Sequence, residues 1–315
     1  MYNTIKFLKN SLNGIPAKNR SRTATTSCIG DVLEAWITKL EEYKIPDAKT
    51  SVQIIASSVL KIANMDELPR FYSQILTEDQ QRNIDQYCEC RLARVPVQYI
   101  VRNWDFRYTR LQLIPPVFIP RPETETLIDI VKQNVKVLNR VLEIGCGSGA
   151  ISISMLQENE SLRMISIDQS RLACNLTRQN AILNGVDDRL EVHEKKMKDD
   201  GSVSDFEVGE IDAIVSNPPY LFSSELYELE PEVKLYEDLR ALDGGADGLR
   251  VIKAILKYSS VTLTFGKSCF LEIHHQHVPM IEKWLSDNEN IDLRVTETFK
   301  DVFGYERFVS VTKVK

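Results

Sequence analysis

The sequence predicts an α/β protein whose main domain contains a doubly wound, mostly parallel sheet, preceded by a small helical domain. Residues 141–144 form a short apolar run that enters a glycine-rich loop, and residues 150–156 then favour a helix. Two further apolar, β-branched runs occupy residues 163–168 and 211–216. Because a predicted helix at 123–137 is followed by alternating strand and helix patterns, we expect parallel strands joined by helices.

The segment before this domain has a helical pattern. Apolar residues recur at helical spacing between residues 32 and 43 and again between residues 52 and 60. Residues 77–80 have the pattern of a capping box that begins a third helix, which we expect to extend to about Ala93. Residues 104–113 alternate enough to predict a β-hairpin. The predicted boundaries are 31–95 for the helical domain, 96–118 for the hairpin linker and 119–315 for the main domain.

Composition excludes several classes of protein. The 315 residues are 43% hydrophobic and 27% charged, which is typical of a soluble globular protein, and no apolar run is long enough to span a membrane. The six cysteines show no C-x-x-C spacing, and Cys88 and Cys90 would lie on different faces of a helix. We therefore expect no metal site, and we interpret His274, His275 and His277 as polar residues that close a strand.

The first thirty residues differ from the rest of the chain. They carry five basic residues and no acidic one, together with many hydroxyl side chains. This composition is typical of an organellar transit peptide, although a disordered basic tail would have the same composition. Without these five positive charges the formal net charge falls from −6 to −11, so we expect no binding to duplex nucleic acid.

The loop at residues 217–220 predicts a binding site for a particular chemical group. Pro218 and Pro219 end the strand before them and offer carbonyl oxygens but no N–H groups. Asn217 adds a side-chain oxygen, and Tyr220 adds an aromatic face. A planar group with an NH2 would find acceptors for both hydrogens here. We therefore predict a site for an amide or an exocyclic amine.

The glycine-rich loop predicts a cofactor site. Its G-x-G-x-G spacing differs from the dinucleotide fingerprint, and it lacks the Lys-Ser/Thr pair of a phosphate-binding P-loop. Asp168 ends the next strand, where a carboxylate can accept both hydroxyls of a ribose. This combination fits a nucleoside-bearing cofactor such as S-adenosylmethionine. The residues predicted to bind it are Glu143, Gly145, Cys146, Gly147, Ser148, Gly149, Asp168 and Asn217.

With these motifs, the chain resembles the class I methyltransferases and, more narrowly, the HemK/PrmC family of protein-(glutamine-N5) methyltransferases that act on peptide chain release factors. The resemblance covers roughly residues 45–312. The segments that carry it, besides the two motifs, are residues 94–100, 118–125, 236–242, 244–249 and 303–307. The stretch at 119–125 is specific, because adenine methyltransferases that share the Asn-Pro-Pro-Tyr loop generally lack it.

The resemblance implies a seven-stranded sheet, S-adenosylmethionine as cofactor, and methylation of the glutamine in the Gly-Gly-Gln motif of a class 1 release factor. The predicted substrate-binding residues are Asn217, Pro218, Pro219 and Tyr220, of which Asn217, Pro218 and Tyr220 are also predicted to be catalytic. The helical domain would hold the body of the release factor. With a transit peptide, the enzyme and its substrate would reside in the mitochondrial matrix.

Two local features leave alternatives open. After the strand at 190–193, family members usually have an acidic residue followed by an aromatic one near the adenine. This chain has Glu-Lys-Lys-Met at 194–197, which makes Met197 the candidate for packing on the adenine. Arg121 and Glu123 either shape the wall of the cleft or form an ion pair that anchors the hairpin.

Two other functions are compatible with part of the pattern. An adenine-N6 nucleic-acid methyltransferase would use the same loop on a flipped base, but residues 31–94 are not notably basic. A cofactor-binding assembly protein without turnover is the other alternative. The intact Asn217, Tyr220 and Asp168 argue against it, whereas the substitution at 196–197 favours it.

Overall fold

The computed structural model describes residues 27–315, so residues 1–26 of the predicted transit peptide lie outside the described part of the chain. The chain divides after Arg102 into two compact units. The described residues of the first unit form four α-helices and one 3-10 helix, Met65–Phe71. The α-helices, α1 to α4, span Ile29–Glu42, Ala48–Leu60, Glu78–Leu92 and Val97–Val101.

The first unit is a small helical bundle, as predicted. Trp36 and Leu40 lie on the buried face of α1, and Ile55 of α2 and Ile84 of α3 are fully buried. The predicted capping box is confirmed at the start of α3. The Thr77 hydroxyl oxygen accepts a hydrogen bond from the backbone N–H of the third helical residue (3.2 Å), whose side-chain oxygen accepts one from the Thr77 N–H (3.0 Å).

The second unit contains the remaining described strands and helices. Strands β1 to β9 span Asn103–Phe106, Thr109–Gln112, Arg140–Ile144, Arg163–Asp168, Leu190–Glu194, Ala213–Ser216, Ser268–Glu272, Leu293–Lys300 and Glu306–Lys313. Helices α5 to α10 span Thr124–Asn134, Ala150–Glu158, Arg171–Leu183, Pro231–Tyr236, Arg250–Thr262 and His277–Asp287. Strands β1 and β2 pair as an antiparallel hairpin. This hairpin spans residues 103–112 and is therefore shorter than the predicted linker at 96–118. Residues 97–101 of that predicted linker belong to α4.

Strands β3 to β9 form one seven-stranded sheet in the order β5-β4-β3-β6-β7-β9-β8. Strands β3 to β7 are mutually parallel, and β9 is antiparallel to both β7 and β8. This confirms the predicted doubly wound, mostly parallel sheet. Because β3 has β4 on one side and β6 on the other, the strand order reverses at β3. In sheets of this kind ligands bind at such a switch point, outside the carboxyl ends of the strands.

Two predicted element boundaries were wrong. The helix predicted at 123–137 ends at Asn134, because Val135 adopts an extended conformation. The side-chain Nδ2 of Asn134 donates a hydrogen bond to the carbonyl oxygen of Ile130 (2.9 Å). Strand β6 begins two residues later than predicted; just before it, the Asp212 carboxylate accepts hydrogen bonds from the backbone N–H groups of residues 139 and 140.

Over residues 27–315, no helix combines the length and the apolar character needed to span a membrane.

Candidate active site

A cavity of about 510 Å³ lies at the carboxyl ends of β3, β4 and β6, which is the switch point of the sheet. Its wall includes residues 145–148 after β3, 168–170 at the end of β4 and 216–219 at the end of β6. Residues 195–199 after β5 and residues 116–118 form further parts of the wall. A cavity of this size suits a cofactor or another small ligand, since such sites typically measure roughly 300–1,000 Å³.

Most of the residues predicted to form the site lie on this wall. They are Glu143, Gly145, Cys146, Gly147, Ser148, Asp168, Asn217, Pro218 and Pro219, together with the candidate Met197. Gly149 and Tyr220 are not among the residues that line the cavity. The glycine-rich loop and the 217–220 loop therefore lie at the same cavity. One residue of each loop, Gly149 and Tyr220 respectively, does not line it.

Two glycines of the loop serve different purposes. Gly147 lies on the cavity wall with a φ of +55°, and a Cβ there would meet no protein atom within 4 Å. A side chain at this position would occupy cavity space and strain the backbone. Gly149 has a φ of +85° and is the N-cap residue directly before α6, where a Cβ would lie 2.8 Å from Ile153 and 2.9 Å from Thr177. Gly149 therefore permits close packing of the loop against helices α6 and α7.

Asp168 is held by the backbone at the end of β4. Its Oδ2 accepts a hydrogen bond from the Gly147 N–H (3.0 Å), and its Oδ1 accepts one from the Ser170 N–H (2.8 Å). Burial raises the pKa of the Asp168 carboxyl, and these two hydrogen bonds act in the opposite direction. An ionised carboxylate has about four acceptor sites, so two backbone donors leave capacity for a pair of ligand hydroxyls.

Glu143 has a different environment although it also borders the cavity. Its side chain is 1% exposed and accepts hydrogen bonds from the hydroxyls of Ser152 and Ser166, the latter at 3.3 Å. Burial raises the pKa of Glu143 to about 8, against the effect of these hydroxyl donors. The group is therefore a largely neutral carboxylic acid at pH 7, and it can donate as well as accept a hydrogen bond.

Asn217 is oriented by a chain of hydrogen bonds that ends at a buried carboxylate. Its Nδ2 donates to the hydroxyl oxygen of Thr124 at the start of α5 (3.0 Å), and that hydroxyl donates to Glu272 Oε2 (2.7 Å). The Tyr220 hydroxyl donates to Glu272 Oε1 (3.1 Å). The side chain of Glu272 is 1% exposed at the carboxyl end of β7. Both polar side chains of the 217–220 loop are thus connected to one carboxylate.

The sequence interpretation missed Thr124 and Glu272. A signal for Glu272 was present, because it ends β7 as Asp168 ends β4, and strand ends of a parallel sheet meet at one edge. Tyr220 was assigned as an aromatic face of the site. Its partly buried ring packs against the core, and its hydroxyl donates a hydrogen bond to Glu272, a contact that the sequence did not indicate.

Arg121 pairs with a residue far along the chain. Its Nη2 lies 2.7 Å from Oε1 of Glu237, whose side chain is 1% exposed and also accepts a hydrogen bond from the Ile119 N–H (3.2 Å). The Arg121 guanidinium lies over the ring of Phe118, 4.7 Å from its centroid. Neither Arg121 nor Glu123 lines the cavity, although Phe118 does. The ion pair therefore supports the wall segment from behind.

The histidines after β7 form a cluster of rings. His274 and His275 have ring centroids 4.1 Å apart with planes tilted by 39°, and His277 is fully buried with both ring nitrogens lacking a hydrogen-bond partner. Burial lowers the pKa of His277 to about 4. In the described part of the chain, no three His, Cys, Asp or Glu side chains are grouped so as to hold a metal ion.

Comparisons with known proteins match both units. Residues 31–101 match the PrmC N-terminal domain family, and residues 122–267 match the Methyltransferase small domain family. The human protein named MTRF1L release factor glutamine methyltransferase is 36% identical over 293 residues, which cover 90% of this chain and 87% of the human protein.

Two more distant proteins illustrate the range of the matches. The release factor glutamine methyltransferase of Synechocystis is 31% identical over 247 residues, covering 76% of this chain and 81% of the relative. Among solved structures, a methyltransferase from Pyrococcus furiosus is 17% identical with a TM-score of 0.47, and the match covers 65% of this chain and 89% of the other.

Proposed function

Because the chain belongs to the family of release factor glutamine methyltransferases, we propose that it methylates the side-chain amide nitrogen of the glutamine in the Gly-Gly-Gln motif of a class 1 peptide chain release factor. The observation that carries the chemistry is the orientation of Asn217. Its Nδ2 donates a hydrogen bond to Thr124, so its oxygen remains as an acceptor in a cavity wall that also includes Pro218 and Pro219.

The residues of the cavity fit S-adenosylmethionine as the methyl donor. Asp168 offers acceptor capacity for the two ribose hydroxyls, and a Cβ at Gly145 or Gly147 would project into space that no protein atom occupies. Met197 lies on the wall after β5 and is proposed to pack on the adenine. When bound, this donor supplies a methyl group already activated by its attachment to a sulfonium.

The enzyme's own task is to make a poor nucleophile reactive. An amide nitrogen is a weak nucleophile because its lone pair is delocalised into the carbonyl. The Asn217 oxygen and the Pro218 carbonyl would accept the two amide hydrogens of the target glutamine. This would fix the nitrogen in position and favour its pyramidalisation. The positive charge that develops on nitrogen would then meet acceptors that are already oriented.

The partner is a protein. In this proposal the helical domain at 31–95 holds the body of the release factor while its glutamine enters the catalytic domain at 119–315. The acidic character of the chain beyond residue 30 supports a protein partner over duplex nucleic acid. Tyr220 and Pro219 would border the entering side chain.

We place the reaction in the mitochondrial matrix. The support is the basic, acid-free and hydroxyl-rich composition of residues 1–30. The substrate would then be the release factor of that organelle.

The test is to incubate the purified protein with S-adenosylmethionine that carries a labelled methyl group and with candidate release factors, and to map the modified residue by mass spectrometry. We expect one labelled methyl on the glutamine of the Gly-Gly-Gln motif. A release factor with asparagine at that position is the matched control, because shortening by one methylene withdraws the nitrogen by about 1 Å or more and should stop the reaction. Faster methylation of a nucleic acid than of any release factor would contradict the proposal.

A further inference from the structure

The direction of the hydrogen bonds around Glu272 determines what Asn217 can do. An ionised carboxylate only accepts hydrogen bonds, so the hydroxyls of Thr124 and Tyr220 must both donate to it. A threonine hydroxyl has a single proton. Once that proton is given to Glu272, the Thr124 oxygen can only accept, and the neighbouring amide must present its NH2 group.

This directionality extends from the carboxylate to the cavity wall. Glu272 and Thr124 are buried, with side chains at the carboxyl end of β7 and the start of α5. Asn217 and Thr124 both line the cavity, whereas Glu272 does not. An amide that was turned around would offer a donor where the substrate amide needs an acceptor, and its oxygen would face the Thr124 oxygen, which has no proton left to donate.

We propose that Glu272 and Thr124 are positioning residues for methyl transfer, which hold the Asn217 amide in the one orientation that accepts a hydrogen from the target nitrogen. They act through the Asn217 amide, because Glu272 does not line the cavity and the Thr124 hydroxyl has Glu272 and Asn217 as its hydrogen-bond partners. This role rests on the function proposed above and adds two residues to its site. The link from Tyr220 to Glu272 gives the other end of the same loop a second attachment to this carboxylate.

Protonation of Glu272 would remove the directionality. A neutral Glu272 can donate to Thr124, whose hydroxyl can then donate to the Asn217 oxygen. Burial raises the pKa of Glu272 to about 7, against the hydroxyls of Thr124 and Tyr220 and the charge of Arg307, while Glu123 acts in the same direction as burial. The turnover number should therefore rise with pH through about 7, as the ionised form becomes dominant.

The experiment compares Thr124→Val, which removes the hydroxyl at constant shape, with Thr124→Ser, which keeps it. We expect the valine variant to lose turnover on the order of 10²-fold. Its S-adenosylmethionine affinity by calorimetry and its far-UV circular dichroism should be unchanged, and serine should restore activity. Thr126→Val, a change of the same kind two residues further into α5, is the control and should keep the activity.

Glu272→Gln supplies an independent readout, because glutamine has no ionisation near pH 7. We expect lower turnover and loss of the rise in turnover between pH 6 and 8 that the parent enzyme should show. Full turnover in Thr124→Val, or equal losses in the valine and serine variants, would overturn the positioning role while leaving the function intact. If the parent enzyme modifies no release factor glutamine, the function and the positioning role that rests on it are both wrong.

Discussion

The backbone N–H of Gly147 donates a hydrogen bond to Oδ2 of Asp168 over 3.0 Å, and this contact joins the loop after β3 to the end of β4. It fixes the carboxylate at the cavity wall without using a side chain. Because the donor is a glycine with a φ of +55°, the loop can turn its N–H toward β4 and still leave the cavity open. The glycine loop and the acid are therefore parts of one site.

Asp168→Ala should weaken the binding of S-adenosylmethionine by about 2–3 kcal/mol, because charge-assisted hydrogen bonds to the ribose would be lost. Calorimetry on the purified protein measures this directly. Asp187→Ala removes the same charge from an exposed site and should leave affinity unchanged. Equal affinities for all three proteins would remove Asp168 from the cofactor site.

Asn217→Ala should reduce methyl transfer to a release factor by about 10²–10³-fold, because an oriented acceptor for the amide hydrogens would be missing. Cofactor affinity should remain close to that of the parent protein. Labelled methyl incorporation and calorimetry distinguish the two effects. A variant that loses cofactor affinity and turnover in parallel would assign Asn217 to cofactor binding alone.

The sequence was sufficient to predict the elements whose signals are local. The glycine loop, Asp168 and the 217–220 loop each follow a recognisable strand, and the carboxyl ends of β3, β4 and β6 bring them to one cavity. The supporting contacts could not be predicted this way. Thr124 and Glu272 are separated by 148 residues, so their contact depends on the path of the whole sheet.

Two further contacts, those of Arg121 and Tyr220, could not be predicted because their partners lie far away in the sequence. The sequence left open whether Arg121 shapes the wall of the cleft or forms an ion pair that anchors the hairpin, and it did not indicate the partner Glu237, which lies 116 residues away. For Tyr220 the sequence predicted a role for the aromatic face but did not indicate that the phenol donates a hydrogen bond to Glu272. The type of a side chain alone does not indicate which residue will be its partner in the folded protein.

Residues 1–30 fused to a fluorescent reporter should direct it to mitochondria, because their basic and acid-free composition is typical of a transit peptide. Co-localisation with a mitochondrial dye measures this. A fusion in which the five basic residues are replaced by glutamine is the control and should remain cytosolic. A diffuse signal from the unmodified segment would support the basic-tail interpretation, and the cytosolic release factor would become the substrate to test.

Glu143 should make the folded protein less stable as pH rises. Its pKa is about 8 in the folded state against an ordinary value of 4.5, so between these values the folded state holds a proton that the unfolded state has released. The stabilisation is therefore fully present below pH 4.5 and is lost as pH rises through 8. Glu143→Gln, which cannot ionise, should abolish this contribution.

The difference in thermal unfolding midpoint between Glu143→Gln and the parent protein should consequently grow in favour of the variant from pH 5 to pH 9. Between pH 5 and pH 8 this change amounts to about 4 kcal/mol, or on the order of 10 °C for a domain of about 200 residues. Glu272 titrates near pH 7 in both proteins and cancels in the difference. Parallel curves across this range would mean that Glu143 is already ionised at neutral pH. In that case its buried carboxylate would depend on the hydroxyls of Ser152 and Ser166 for stabilisation of its charge.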